Sequence, residues 1–153
     1  MISVEDVKAS LRKDTILVSI MHINNELGSI QPIKELASMI HQNSRAVFHV
    51  DAIQSFGKYP VSFVKLGVDV LTLSAHKFNG LKGSGIVAWK DHVSFEPVIV
   101  GGGQEFGLRS GTVAVAQAVS FAKAMRLAAE NQSTMLMKYM QWNEKLRSTL
   151  RGY

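Results

Sequence analysis

Cysteine is missing altogether from this sequence. That excludes a disulfide framework, a thiolate metal site and a cysteine nucleophile among these residues. Long apolar runs are missing too, and none approaches the roughly 18 residues that span a bilayer. Glu5, Asp6 and Lys8 stand where a secretory signal would need an apolar stretch. A soluble, cytoplasmic protein with no membrane partner is therefore expected. Two glycine-rich segments fail the common phosphate-loop patterns. Gly80-Leu81-Lys82-Gly83-Ser84-Gly85 lacks the Walker spacing, and Gly101-Gly102-Gly103 opens no G-x-G-x-x-G helix. The five histidines show no metal-ligand spacing, so no metal site is expected.

What is present is apolar material. Hydrophobic residues make up 46% of the chain and charged residues only 19%, which excludes a disordered chain and supplies a core. A length of 153 residues suits one domain. The net charge of +5 is not gathered into a nucleic-acid footprint. Its densest stretch, Lys138 to Arg151, interleaves with apolar residues at helical spacing. A solvated basic surface fits this pattern. So does local attraction of a small anion such as a phosphate ester, which needs only two or three groups.

The chain reads as alternating helices and strands. Val4 to Arg12 places Val4, Val7 and Leu11 on one helical face. Ile16 to Ile20 is a β-branched run that predicts a buried strand. Pro32 sits well at a helix start, and Ile33, Leu36, Ala37 and Ile40 carry the helix to about Gln42. Arg45 to Val50 predicts a second strand ending at Asp51. Phe63 to Leu66 predicts a short helix closed by Gly67. Val68 to Leu73 predicts a third strand ending at Ser74. Ile86 to Trp89 and Pro97 to Val100 predict further short strands, and the helical signal begins at Thr112. Met135, Tyr139, Trp142, Leu146 and Leu150 form one helical stripe, expected to be a buried packing face. The fold class is thus α/β, with a mostly parallel sheet and flanking helices.

In such a sheet, ligands bind outside the carboxyl ends of the strands. Three polar clusters fall there: Asn24-Asn25-Glu26, Asp51-Ala52-Ile53-Gln54 and Ser74-Ala75-His76-Lys77. Alone, Lys77 reads as a surface charge. Beside His76, and with Asp51 on the neighbouring strand end, it becomes a candidate imine-forming amine. Pyridoxal phosphate chemistry needs that amine, together with a carboxylate that keeps the pyridine nitrogen protonated. Asp51 is the matching acid, although Asp is also common as a turn residue. Gln54 and Asn25 are candidate donors to the cofactor ring. Ser74 and His76 are candidate phosphate donors.

The segments Met21 to Gly28, His49 to Ser55, Ser74 to Lys77, and Gly101 to Glu105 followed by Leu108-Arg109-Ser110-Gly111-Thr112 closely resemble the cysteine desulfurases, which are class V aminotransferase-like pyridoxal phosphate enzymes. The resemblance implies an internal piece of the large domain of a fold-type I homodimer. In this reading residues 1–130 are partial large domain, and 131–153 lead towards a C-terminal small domain. It implies Lys77 as the Schiff-base lysine, Asp51 as the pyridinium partner and Gln54 as donor to the ring oxygen. Asn25 would lie near the ring and the substrate carboxylate, and Ser74 and His76 would bind the phosphate. Thr112 would reach the phosphate held in the other subunit. The implied reaction takes sulfur from L-cysteine, giving alanine and an enzyme persulfide. That persulfide would be passed to a sulfur-acceptor protein, as in iron–sulfur cluster assembly. The persulfide cysteine and a carboxylate-clamping arginine would lie outside this stretch. The same resemblance is shared by selenocysteine lyases and other class V enzymes. It also fits a non-catalytic dimerisation remnant. A sheet cut from a larger domain is expected to be poorly soluble or partly molten.

Overall fold

The structure is a computed structural model and describes residues 1–151. Its centre is a four-stranded sheet in the order β1 (Leu17–Met21), β2 (Val47–Asp51), β3 (Val70–Ser74), β4 (Gly85–Trp89). The first three strands are parallel and β4 runs antiparallel to β3. The parallel connections carry α2 (Ile33–Asn43) and the short α3 (Phe63–Leu66). Helix α1 (Val4–Ser10) precedes β1. Two long helices, α4 (Val115–Glu130) and α5 (Gln132–Leu150), close the described chain.

The alternation of side chains along a strand divides the sheet into two unlike faces. Phe48 and Val50 of β2 are fully buried, as are Leu71 and Leu73 of β3. They pack with Ile33, Leu36, Ala37 and Ile40 of α2 in one core. Leu36 and Ile40 have no exposed surface, so truncating either to Ala is expected to cost about 2–5 kcal/mol. The odd-numbered residues of β2 point the other way: Val47, His49 and Asp51 are half-buried. Register pairs Ser19 with His49 and Asp51 with Thr72, so the second face carries a band of polar side chains.

The amino end of β3 is pinned by a buried charge. Asp69 is 2% exposed and accepts from the Phe48 amide at 2.9 Å, Lys90 Nζ at 2.9 Å and His41 Nε2 at 2.8 Å. It thereby ties α2, β2 and the end of β4 to one carboxylate. The hydroxyl of Ser62 caps α3, and Gly67 ends it at φ 73°, a left-handed conformation that favours glycine.

The structure corrects several expectations. The strand expected at Pro97 to Val100 is absent. Ile99 makes only an isolated bridge to Arg109, because this segment folds back on its own loop through Ser110, whose amide donates to the Ile99 carbonyl. The terminal helix starts at Val115 rather than Thr112 and breaks at Asn131. The α5 stripe is not a buried face: Trp142, Leu146 and Leu150 are about 60% exposed. The first helix ends at Ser10, and β1 is shifted one residue towards Met21.

Candidate functional site

The carboxyl ends of β2 and β3 carry Asp51, Gln54, Ser74, His76 and Lys77. Asp51 is the last residue of β2, and its Oδ1 accepts the Ile53 amide at 2.8 Å. This local turn fixes the carboxylate at the strand end, as Asp does in Asx turns. Two tight turns follow: Phe56 donates to the Ala52 carbonyl and Tyr59 to the Ser55 carbonyl. Gln54 lies half-buried on the first of them. On the next strand, Ser74 ends β3 and Ala75–Phe78 form a 3-10 turn that carries His76 and Lys77. Ser74 Oγ and His76 Nδ1 lie 2.9 Å apart. Asp51 pairs with Thr72, so its side chain shares a sheet face with Thr72 and Ser74.

Behind the Asp51 carboxylate stands His49. Its Nδ1 is 2.7 Å from Ser19 Oγ and its Nε2 is 3.1 Å from Thr72 Oγ1. The imidazole thus spans three adjacent strands, with both nitrogens engaged. Burial pushes its pKa below the usual histidine value, and the nearby Asp51 charge opposes that shift. A neutral ring with one donor and one acceptor suits two hydroxyl partners. His49 is not among the residues that the sequence singles out. Its signal was the period-two alternation that places it on the face of Asp51.

The β1 end behaves differently. Asn24, not Asn25, organises its turn: Asn24 Oδ1 accepts the amides of Glu26 and Leu27 at 3.0 and 2.8 Å. Asn25 is exposed beside it. The neighbouring His22 is 3% exposed, lies 3.1 Å from Ser55 Oγ through Nδ1, and meets the Tyr59 ring edge-on. It ties the β1 loop to the β2 loop. Burial lowers its pKa.

Lys77 opens onto a cleft of about 470 Å³ between the β2 loop and helices α4 and α5. Phe56, Phe78, Leu127 and Ala128 line its apolar side, and Tyr139 and Asn131 stand at its α5 side. Of the predicted site residues only Lys77 lines this cleft. Asp51, Gln54, Ser74 and His76 lie along the strand edge, and Thr112 is exposed in the extended segment ahead of α4. A second lysine, Lys58, also lines it. In sequence, a lysine after Gly57 in a turn is indistinguishable from an ordinary surface charge.

The donor set on this edge fits pyridoxal phosphate. It offers an amine for an aldehyde, an anchored carboxylate for a ring nitrogen, and a hydroxyl and an imidazole for a phosphate. The carboxylate stands at the end of β2, and the amine lies on the turn that follows the adjacent strand β3.

Comparison with known proteins agrees with that chemistry. The mitochondrial cysteine desulfurase of Candida albicans is 41% identical over 152 residues, which is 98% of this chain and 31% of that protein. The cysteine desulfurase IscS of Edwardsiella ictaluri is 43% identical over 153 residues, covering 99% of this chain and 38% of the relative. This chain therefore spans about a third of the length of those relatives. An X-ray structure of a NifS-like protein from Rickettsia africae superposes with a TM-score of 0.91 at 34% identity, over 99% of this chain and 43% of that one. The family model described as aminotransferase class-V matches residues 1–152, and with the strand-end amine and carboxylate in place, this chain belongs to that family.

Proposed function

We propose that this chain is the cofactor-anchoring part of a pyridoxal phosphate-dependent cysteine desulfurase acting on L-cysteine. The observation that carries the reading is the meeting of Asp51 and the Ser74–Lys77 turn on adjacent parallel strand ends. The desulfurase names of the relatives support the same substrate.

Each residue then has a task. The Lys77 amine would hold the cofactor through its aldehyde, and as a free amine it would move a proton at the substrate α-carbon. Asp51 keeps a proton on the pyridine nitrogen, and the Ile53 amide fixes its carboxylate for that purpose. Gln54 and Asn25 orient the ring by hydrogen bonds. Ser74 and His76 hold the phosphate, their mutual contact setting which way each donates. Thr112 reaches the phosphate of a second copy, which makes the working unit a homodimer. When bound, the cofactor supplies an electron sink for the substrate α-carbon.

Sulfur transfer needs a thiolate that attacks the substrate sulfur. The Cβ–S bond breaks, the carbon fragment takes up protons to become alanine, and the sulfur is held as a persulfide. The 153 residues contain no cysteine, so that thiol comes from outside them. The persulfide would feed a sulfur-acceptor protein in the cytoplasm, for iron–sulfur cluster assembly. In this reading residues 1–130 are the cofactor-anchoring unit and 131–153 the connection towards a further domain, and the end of α4 at Glu130 supports that division.

The test is the absorption spectrum after addition of pyridoxal phosphate. In a Lys58→Arg background, which removes the other amine of the cleft, a new band above that of the free aldehyde is expected with Lys77 present and not for Lys77→Ala. Identical spectra for the two would remove Lys77 from the site.

A further inference from the structure

The cleft that receives Lys77 holds a second amine. Lys58 is half-buried at the end of the β2 loop, and its Nζ donates to the Gln54 carbonyl at 3.3 Å. Among the described residues no carboxylate lies within ion-pair distance of it. Phe56 and Phe78 meet edge-on at 5.1 Å on the same wall, and Phe78 meets Phe121 at 5.3 Å, so the apolar side is a packed aromatic surface. The start of α5 is fixed to this loop, because the Gln132 amide donates to the Tyr59 carbonyl. Gly57 permits the approach: a Cβ there would sit 3.0 Å from Ala128 Cβ. The amine is therefore held half-buried in a cleft with one aromatic wall and a mixed polar and apolar lining, rather than on a free surface.

We propose that Lys58 is a second aldehyde-accepting amine, a covalent capture site for small aromatic aldehydes that enter the Lys77 cleft. This position favours the uncharged amine on two grounds. Burial lowers the Lys58 pKa, and the neighbouring Lys77 charge lowers it further. The uncharged amine is the nucleophile. It attacks the aldehyde carbon, a C–N bond forms, and the carbonyl oxygen leaves as water with two protons taken from the nitrogen. The product is an imine, and no oxidant or reductant is consumed. An aromatic aldehyde gains contact with the Phe56 and Phe78 side of the cleft, and an anionic substituent gains the Lys77 charge.

The inference rests on the reading of Lys77 only through that shared cleft. The full chain is incubated with limiting pyridoxal phosphate, reduced with borohydride and mapped by peptide mass spectrometry. Lys58 is expected to carry severalfold more reduced adduct than the exposed Lys34 and Lys138 at pH 7. The ratio should shrink at pH 9.5, where the uncharged fraction of an ordinary lysine side chain is far larger than at pH 7. Lys77→Arg keeps the neighbouring charge, so Lys58 should still be labelled in it. Circular dichroism of that variant confirms that the fold is retained. Lys58 labelled no more than Lys138 at every pH overturns the inference. Adduct on Lys58 with none on Lys77 removes Lys77 from its assigned role and leaves Lys58 standing. Adduct on Lys77 alone does the reverse.

Discussion

The Asp69 carboxylate and the His41 imidazole meet at 2.8 Å across the amino edge of the sheet, far along β3 from the Lys77 turn. Burial by itself would raise the Asp69 pKa. The Phe48 amide, Lys90 and His41 outweigh it and hold the carboxyl at about 2. An unfolded Asp titrates near 3.8. The depressed value means that the folded state favours the charged form, a stabilisation of about 2 kcal/mol. It is fully present above pH 3.8 and disappears as pH falls towards 2. Asp69→Asn is therefore expected to lower stability by about 2 kcal/mol at pH 7, a drop in Tm of roughly 4–8 °C. The gap between variant and wild type should close on acidification below pH 3.8. Thermal unfolding followed by circular dichroism at a series of pH values checks this.

Histidine burial sets a second pH dependence with its own window. His22 and His49 both have pKa values lowered by burial. The unfolded chain binds their protons near pH 6.5, and the folded chain resists them. Stability should accordingly fall as pH drops below 6.5, until the folded-state values are reached. His22 sits under Tyr59 with almost no exposed surface, so His22→Asn should flatten the profile between pH 7.5 and 5. Urea unfolding midpoints at those two pH values are the measurement. An unchanged slope in the variant would assign the dependence to other groups.

The sequence and the coordinates part company for physical reasons. The three parallel strands were legible because β-branched runs such as Ile16 to Ile20 have few other uses, and their polar ends marked one edge. The reversal of β4 was not legible, since Ile86 to Trp89 pairs equally well either way. The Pro97 to Val100 segment has the composition of a strand but finds only Arg109 to pair with. The α5 stripe shows what periodicity leaves open. Spacings of three and four define a face, but not what covers it, and Trp142 and Leu146 remain exposed. In the site, Asp51 and Lys77 stood out by position at strand ends. Lys58 did not, because its burial depends on α4 and α5 folding over the β2 loop from more than sixty residues away.

A close approach of backbone to helix supports the Lys77 turn. A Cβ at Gly80 would lie 2.8 Å from Ala75 Cβ and 3.2 Å from Ala124 Cβ. Both neighbours are buried, so neither side can yield cheaply. Gly80→Ala should push α4 away from the 3-10 turn and cost about 1–3 kcal/mol, the range for overpacking a tight core. Gly103→Ala is the control, because its Cβ would meet nothing within 4 Å. Pyridoxal phosphate affinity, read by titration of absorbance, should weaken in the first variant and stay unchanged in the second.

The last expectation separates the charge of Asp51 from its shape. Asp51→Asn keeps an oxygen for the Ile53 amide, so the turn after β2 should persist and Tm should move by less than about 3 °C. What disappears is the negative charge beside His49. That charge opposes the lowering of the His49 pKa, so the variant should titrate His49 at a lower pH than wild type. Proton NMR of the imidazole signals reads this without any cofactor. The same substitution removes the partner of the pyridine nitrogen, so bound pyridoxal phosphate should be held more weakly. A variant with an unchanged His49 titration would show that the carboxylate does not sit on the His49 face of the sheet. One with a shifted titration but unweakened cofactor binding would show that the carboxylate is in place and takes no part in holding the ring.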